Sequence, residues 1–197
     1  MARARTAVAA GKVRIIGGRL RGSKIAVPDL PGLRPTPDRV RETLFNWLMP
    51  FIDGARCLDL FAGTGALGIE ALSRGAASAD FVETDPGLAQ ALRDNLARLE
   101  QSNAAVRSGD ALTLLRSAPA RQYDIAFVDP PFSADLWHDA AQTLEAGGWL
   151  RDGALVYLEM AADAHVALPA NWALHREARA GAVRFALYRR HEASAKL

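Results

Sequence analysis

The segment Tyr123-Asp124-Ile125-Ala126-Phe127-Val128 runs directly into Asp129-Pro130-Pro131-Phe132. A β-prone run closed by an acid, two prolines and an aromatic makes a specific recognition surface. Proline contributes no N–H, so the Pro130 carbonyl is left free to accept a hydrogen bond. Together with the Asp129 carboxylate it can hold the two protons of an exocyclic NH₂, and Phe132 offers a stacking face for the flat ring behind that amine. Asp129 can also take the proton that the amine loses. The plain alternative is a rigid strand-to-loop turn, which Pro-Pro makes well.

A second run, Cys57-Leu58-Asp59-Leu60-Phe61, leads into Ala62-Gly63-Thr64-Gly65-Ala66-Leu67-Gly68. Strand, glycine turn and helix in that order let a backbone approach a nucleotide-like ligand closely. Gly63, Gly65 and Gly68 satisfy the dinucleotide spacing, although any tight strand–helix turn needs glycine. Glu83 ends the next predicted strand, where an acid can accept both hydroxyls of a ribose. Two ligands fit: a nicotinamide or flavin dinucleotide, and S-adenosylmethionine. A pyrophosphate wants bare amides, whereas a sulfonium and an α-ammonium want a carboxylate, and Asp59 lies just before the loop. Asp110 can accept from an adenine amino group, with the Ala111 amide reaching a ring nitrogen; the plain alternative is an ordinary helix N-cap. None of these acids is accompanied by histidine, and His138, His165, His175 and His191 are scattered, so no metal site is expected.

Alternating strands and helices must position these groups. Strands are expected at 56–61, 79–83, 104–108, 123–128 and 153–159, with helices at 65–74, 86–99, 110–117 and 134–146. That rhythm predicts a parallel sheet with right-handed crossovers and helices on both faces. Trp172–Ala178 and Val183–Arg190, joined by a Gly181 turn, read as an antiparallel hairpin added to it. The acid-bearing ends of Asp59, Glu83, Asp110 and Asp129 would then converge on the edge where such sheets bind ligands. Upstream, Lys12–Ile16 and Ser23–Val27 flank a glycine turn and predict a basic β-hairpin. Thr36 is a candidate N-cap with Pro37 at the first helical position. The helix that follows carries Val40, Leu44, Trp47, Leu48 and Phe51 as an apolar stripe, leaving Arg39 and Asn46 on its other face.

The 197 residues carry a net charge of only +2. Residues 1–50 hold ten Lys/Arg against three Asp/Glu, or +7, while residues 51–197 hold fourteen against nineteen, or −5. A basic segment on a mildly acidic body predicts contact with a polyanion through one end. The expected division is therefore a basic arm, 1–50, and a catalytic domain, 51–197. No apolar run approaches the ~18 residues of a membrane helix. The start, MARARTAVAAG, lacks the apolar stretch of a secretory signal and reads as a ragged tail. A single cysteine, Cys57, excludes a disulfide framework and suits a reducing cytoplasm.

The strand-end motifs together resemble a class I S-adenosylmethionine-dependent amino-methyltransferase. More narrowly, Arg14-Ile15-Ile16-Gly17-Gly18, the run Arg34-Pro35-Thr36-Pro37-Asp38-Arg39-Val40-Arg41-Glu42-Thr43-Leu44-Phe45 and Glu70-Ala71-Leu72-Ser73-Arg74-Gly75-Ala76 are similar to the RsmD family, over roughly residues 12–160. Pro37 stands where Thr is more usual, and Thr64 where Ser often occurs. The resemblance implies a Rossmann-like, mostly parallel seven-stranded sheet with a C-terminal antiparallel hairpin and a small N-terminal hairpin–helix extension. It implies methyl transfer to the 2-amino group of one guanine in bacterial small-subunit ribosomal RNA. The residues alone leave adenine and cytosine amines open. The cofactor residues would be Asp59, Phe61, Gly63, Gly65, Glu83, Asp110 and Ala111, and the catalytic set Asp129, Pro130, Pro131 and Phe132. Lys12, Arg14, Arg19, Arg21 and Lys24 would hold RNA phosphates, with Arg34, Thr36 and Arg39 near the pocket mouth. The target base must be unpaired or flipped out. A cytoplasmic monomer acting on the RNA or its ribonucleoprotein particle is expected. An adenine-directed methyltransferase, a non-catalytic RNA-binding assembly factor and an NAD-type oxidoreductase are the competing readings.

Overall fold

The computed structural model describes residues 9–28, 36–131 and 135–192. The tail before residue 9, Arg34, Phe132 and residue 134, where a helix was expected to start, lie outside them. From residue 56 the chain builds a seven-stranded sheet in the order β5-β4-β3-β6-β7-β9-β8. The strands are β3 (Arg56–Asp59), β4 (Ser78–Glu83), β5 (Ala104–Ser108), β6 (Tyr123–Val128), β7 (Leu150–Ala161), β8 (Trp172–Ala180) and β9 (Val183–Arg190). Pairs from β5 to β7 are parallel; β7–β9 and β9–β8 are antiparallel. The chain enters at β3, moves outward to β4 and β5, and then returns to the other side of β3 with β6. The crevice outside β3 and β6 is thus the topological switch point, where sheets of this kind take their ligands.

Successive strand residues face opposite ways. Cys57, Phe81, Ile125, Phe127, Leu155 and Tyr157 enter one core with α1 (Asp38–Leu48), α2 (Ala66–Ser73) and α3 (Pro86–Arg98). Leu58, Val82, Ala126, Val128, Val156 and Leu158 enter the other with α4 (Ala111–Leu115) and α5 (Trp137–Ala146). A separate two-stranded hairpin, β1 (Ala9–Arg14) and β2 (Lys24–Pro28), adds Val13, Ile15, Ile25 and Val27 to the first core. Ile15 and Ile25 are fully buried, each worth about 1.5–3 kcal/mol.

Polar groups fix that docking. Glu70, fully buried on α2, accepts the Ile16 and Gly17 amides, both at 2.8 Å, and the Arg74 Nε–H at 2.7 Å. Arg41, also fully buried, places Nη1 at 3.7 Å from the same carboxylate and donates from Nη2 to the Arg14 carbonyl and to Asp38. Ser73 accepts the Leu20 amide and donates to the Gly17 carbonyl. Gly18, at φ 74°, lets its backbone lie directly against the Ser73 carbonyl. Asn95 of α3 pairs with both the N–H and the C=O of Ala26 on β2. The Arg-Ile-Ile-Gly-Gly and Glu-Ala-Leu-Ser-Arg motifs are thus two halves of one clamp.

Some local expectations shift. The α1 helix is capped by Pro37 with no side-chain hydrogen bond, so Thr36 is not its N-cap. Thr36 is buried and spends its hydroxyl elsewhere, beside Asp129 and Glu159. The buried face of α1 holds Phe45 and Arg41 in addition to Val40, Leu44 and Leu48; Trp47 is only partly covered, stacked on Phe185, and Phe51 lies past the helix. Strand β3 stops at Asp59 and the chain turns there, two residues short of the expected end. Strand β7 is longer than 153–159 because β9 pairs with it as far as Ala161.

A carboxylate-lined crevice at the sheet switch point

Strand register assembles the site. Asp59 pairs with Phe81 on one side and with Phe127 on the other, so Glu83 and Asp129 each lie two residues beyond its level. Two residues is one full pleat, so all three side chains share the face of Phe81 and Phe127. The last parallel pair between β6 and β7 is Val128 with Leu158. One step further, Asp129 and Glu159 stand opposite each other on adjacent strands, on that same face. Neighbouring strands lie ~4.8 Å apart, so the two carboxyls are within strong electrostatic reach.

The glycine loop is held from the same row. Gly63 donates its amide to Glu83 Oε2 at 2.7 Å, and Asp85 donates to Oε1 at 2.8 Å. Each carboxylate oxygen keeps a further lone pair for a ligand hydroxyl. Gly65 precedes α2 in the left-handed region, φ 77°, and a Cβ there would stand 2.3 Å from Leu92 Cδ1. At Gly68 a Cβ would lie 2.2 Å from the Phe81 ring, so that glycine serves helix–strand contact. Its amide donates to Asp59 Oδ2 at 3.1 Å.

Burial raises the Asp59 carboxyl to about 7, the Gly68 amide opposing and Glu83 reinforcing the shift. Burial also holds Asp129 well above the carboxylate range, and the charges of Glu159 and Asp59 push it further; the Thr36 hydroxyl works the other way. Glu159 is raised by burial, against hydrogen bonds from Tyr157 and Thr36. Its Oε2 accepts the Tyr157 hydroxyl at 2.8 Å, and its backbone carbonyl accepts Trp137 Nε1 at 2.7 Å. Among the described residues, no cation figures in the groups that shift these three carboxyls. Such a crevice favours a positively charged ligand beside Asp59 and hydrogen-bond donors beside Asp129 and Glu159.

The structure brings Asp59, Gly63, Gly65, Glu83, Asp129 and Thr36 together through these contacts. Pro130 is buried next to them, Pro131 is exposed and Phe61 is half-buried. Asp110 is exposed and caps α4, accepting the Thr113 amide at 2.7 Å; the Thr113 hydroxyl and that amide hold its carboxyl below the usual range. Ala111 opens that helix, where the first amides have no intrahelical partner. Lys12, Arg14, Arg19, Arg21 and Lys24 are exposed on the docked hairpin, and Arg39 is exposed on α1. Arg19 also donates to Gln101 Oε1 at 2.9 Å, which ties the turn to the end of α3. Sequence reasoning overlooked Glu159 and Tyr157. The signal was an acid within the apolar run Leu155–Met160, at the end of a fifth predicted strand.

Comparison with known proteins agrees with this geometry. The Ribosomal RNA small subunit methyltransferase D of Escherichia coli strain K12 is 52% identical over 181 residues, 91% of each chain. The solved structure of yhhF from Escherichia coli superposes with a TM-score of 0.84 at 52% identity, covering 92% of this chain and 99% of that one. An RNA methyltransferase from Salinibacter ruber, solved with S-adenosyl-L-homocysteine, shares the fold at 19% identity, with a TM-score of 0.63 over 83% of this chain and 97% of its own. With a family model described as Conserved hypothetical protein 95 matching residues 13–189, the chain belongs to that family, the one of the RsmD methyltransferases.

Proposed function

We propose that the protein transfers a methyl group from S-adenosylmethionine to the exocyclic 2-amino group of a guanine in small-subunit ribosomal RNA. The observation that carries this is the row of carboxyls, Glu83, Asp59, Asp129 and Glu159, on one face of the sheet at its switch point. A pyrophosphate would be repelled there, which disfavours a dinucleotide. Bound S-adenosylmethionine supplies an electrophilic methyl on a sulfonium. Asp59 lies where it would balance that charge, Glu83 would accept the ribose hydroxyls, and Asp110 with the Ala111 amide would meet the adenine edge. Asp129 and the Pro130 carbonyl hold the target amine with its lone pair directed at the methyl, and Phe132 stacks on the base. Positioning of this kind supplies much of the rate. Asp129, its proton affinity raised by burial and by Glu159, takes the proton that the new secondary amine sheds. The substrate RNA agrees with the relative named above, and a cytoplasmic, monomeric enzyme fits the reading. Mass mapping of small-subunit ribosomal RNA from a deletion strain tests it: one N2-methylguanine is expected to disappear, and an unchanged nucleoside map would sink the proposal.

Asp59 makes cofactor binding pH-dependent. Its carboxyl, at about 7 in the protein, is mostly protonated at pH 6, whereas a cation beside it favours the charged form. Binding at pH 6 should therefore release close to one proton, and affinity should weaken by up to ~10-fold per pH unit below 7. Calorimetry in two buffers of different ionisation enthalpy measures this directly. Zero proton release would remove Asp59 from the cation's surroundings.

Residues 1–50 act in this reading as the RNA-contacting arm and 51–197 as the methyltransferase domain. Reversing Arg19, Arg21 and Lys24 to Glu should weaken RNA binding and flatten log K against log salt by about two to three units of slope. An unchanged slope in filter binding would count against the arm.

A further inference from the structure

In the mechanism above Glu159 acts only through its charge on Asp129 and touches no substrate atom, yet it is buried on the same face beside Asp129. We infer that Glu159 is a specificity-determining residue whose carboxylate accepts the N1–H of the target guanine while Asp129 and the Pro130 carbonyl hold its 2-amino group. The inference rests on the guanine-N2 reading. Guanine alone carries a ring N–H beside its exocyclic amine. In adenine and cytosine the ring nitrogen next to the amine bears a lone pair. Once ionised, two side-by-side carboxyls present acceptors only, and donors at N1 and at the amine favour that ionised form, so the pair matches a donor–donor edge and opposes a donor–acceptor one.

Three contacts keep Glu159 in that role. Asp129 follows the last paired residue of its strand, Val128, as Glu159 follows Leu158, so the two acids leave adjacent strands at the same level. The Tyr157 hydroxyl donates to Oε2, which fixes the carboxyl's orientation. The Thr36 hydroxyl lies beside both carboxyls and, with Tyr157, favours the charged, purely accepting form of Glu159. A buried acceptor left facing a ring lone pair is costly, which is how a site rejects the wrong base.

The test is a cycle of two enzymes and two substrates. Wild type and Glu159→Gln are assayed on small-subunit RNA carrying guanine, or 2-aminopurine, at the nucleotide that wild type methylates. 2-Aminopurine keeps the 2-amino group but has a lone pair at N1. It also lacks the 6-oxygen, a loss common to both enzymes that cancels in the cycle. Wild type should prefer guanine in kcat/KM by on the order of 10- to 100-fold. In Glu159→Gln, whose amide can donate to the N1 lone pair, that preference should shrink at least roughly tenfold, with cofactor affinity by calorimetry unchanged. Equal losses on both substrates, or a loss of cofactor affinity that accounts for the fall, would overturn the role of Glu159 and leave the guanine-N2 reading standing. Failure of wild type to form any N2-methylguanine would overturn that reading and the inference with it.

Discussion

Replacing Asp129 with Ala should lower turnover by roughly 10³-fold or more, about 4 kcal/mol of transition-state stabilisation, with cofactor affinity changed only a few-fold. In the proposed mechanism two functions would disappear together: the acceptor that positions the amine and the group that takes its proton. Unfolding will not account for the loss. Burial and the charges of Glu159 and Asp59 work against the ionised form of Asp129. Removing it relieves that repulsion, so the thermal midpoint should stay constant or rise. Asp129→Asn separates the two functions, because its amide oxygen still accepts a hydrogen bond while the charge is gone. A drop of roughly 10- to 100-fold is expected there. Single-turnover methylation with the wild-type rate in Asp129→Ala would remove the residue from the reaction.

The second large effect concerns stability. Glu70→Ala deletes the acceptor for the Ile16 and Gly17 amides and the Arg74 Nε–H, and leaves the fully buried Arg41 with only the exposed Asp38 as a carboxylate partner. Breaking a buried pair from one side typically costs about 3–5 kcal/mol. In a chain of this size the thermal midpoint should fall by roughly 10 °C. Glu70→Gln, which keeps the shape and one acceptor oxygen, should recover part of it. A midpoint within a degree or two of wild type, read by circular dichroism, would show that the clamp contributes little.

Much of the architecture could be read beforehand where period and composition agree. The runs 104–108, 123–128 and 183–190 match β5, β6 and β9 because alternation and bounding turns leave few other registers. Asp59, Glu83 and Asp129 were legible as strand-end acids because a parallel sheet brings equivalent ends to one edge. What stayed hidden was set by long-range partners. Thr36 looks like a helix cap because local rules name the nearest amides, yet two carboxyls from distant strands claim its hydroxyl. Arg41 and Glu70 stand in the sequence only as members of two motifs, and nothing local says that each is fully buried against the other's element. An acid in α2, a helix buried at every position, was the available clue. Glu159 was missed because an apolar run draws attention to packing and away from its one charged member.

The hairpin's dependence on its clamp also bears on the order of synthesis. β1 and β2 leave the ribosome first, but an isolated two-stranded hairpin is marginal in water. Its backbone partners arrive much later: Glu70 is 54 residues beyond Ile16, and Asn95 is 69 beyond Ala26. While the chain is growing, the cationic segment is therefore tethered beside ribosomal RNA before the helices that will shape it exist. The row of acids is completed last, when β7 delivers Glu159. A nascent chain thus carries the hairpin's positive charge well before it carries the row of acids.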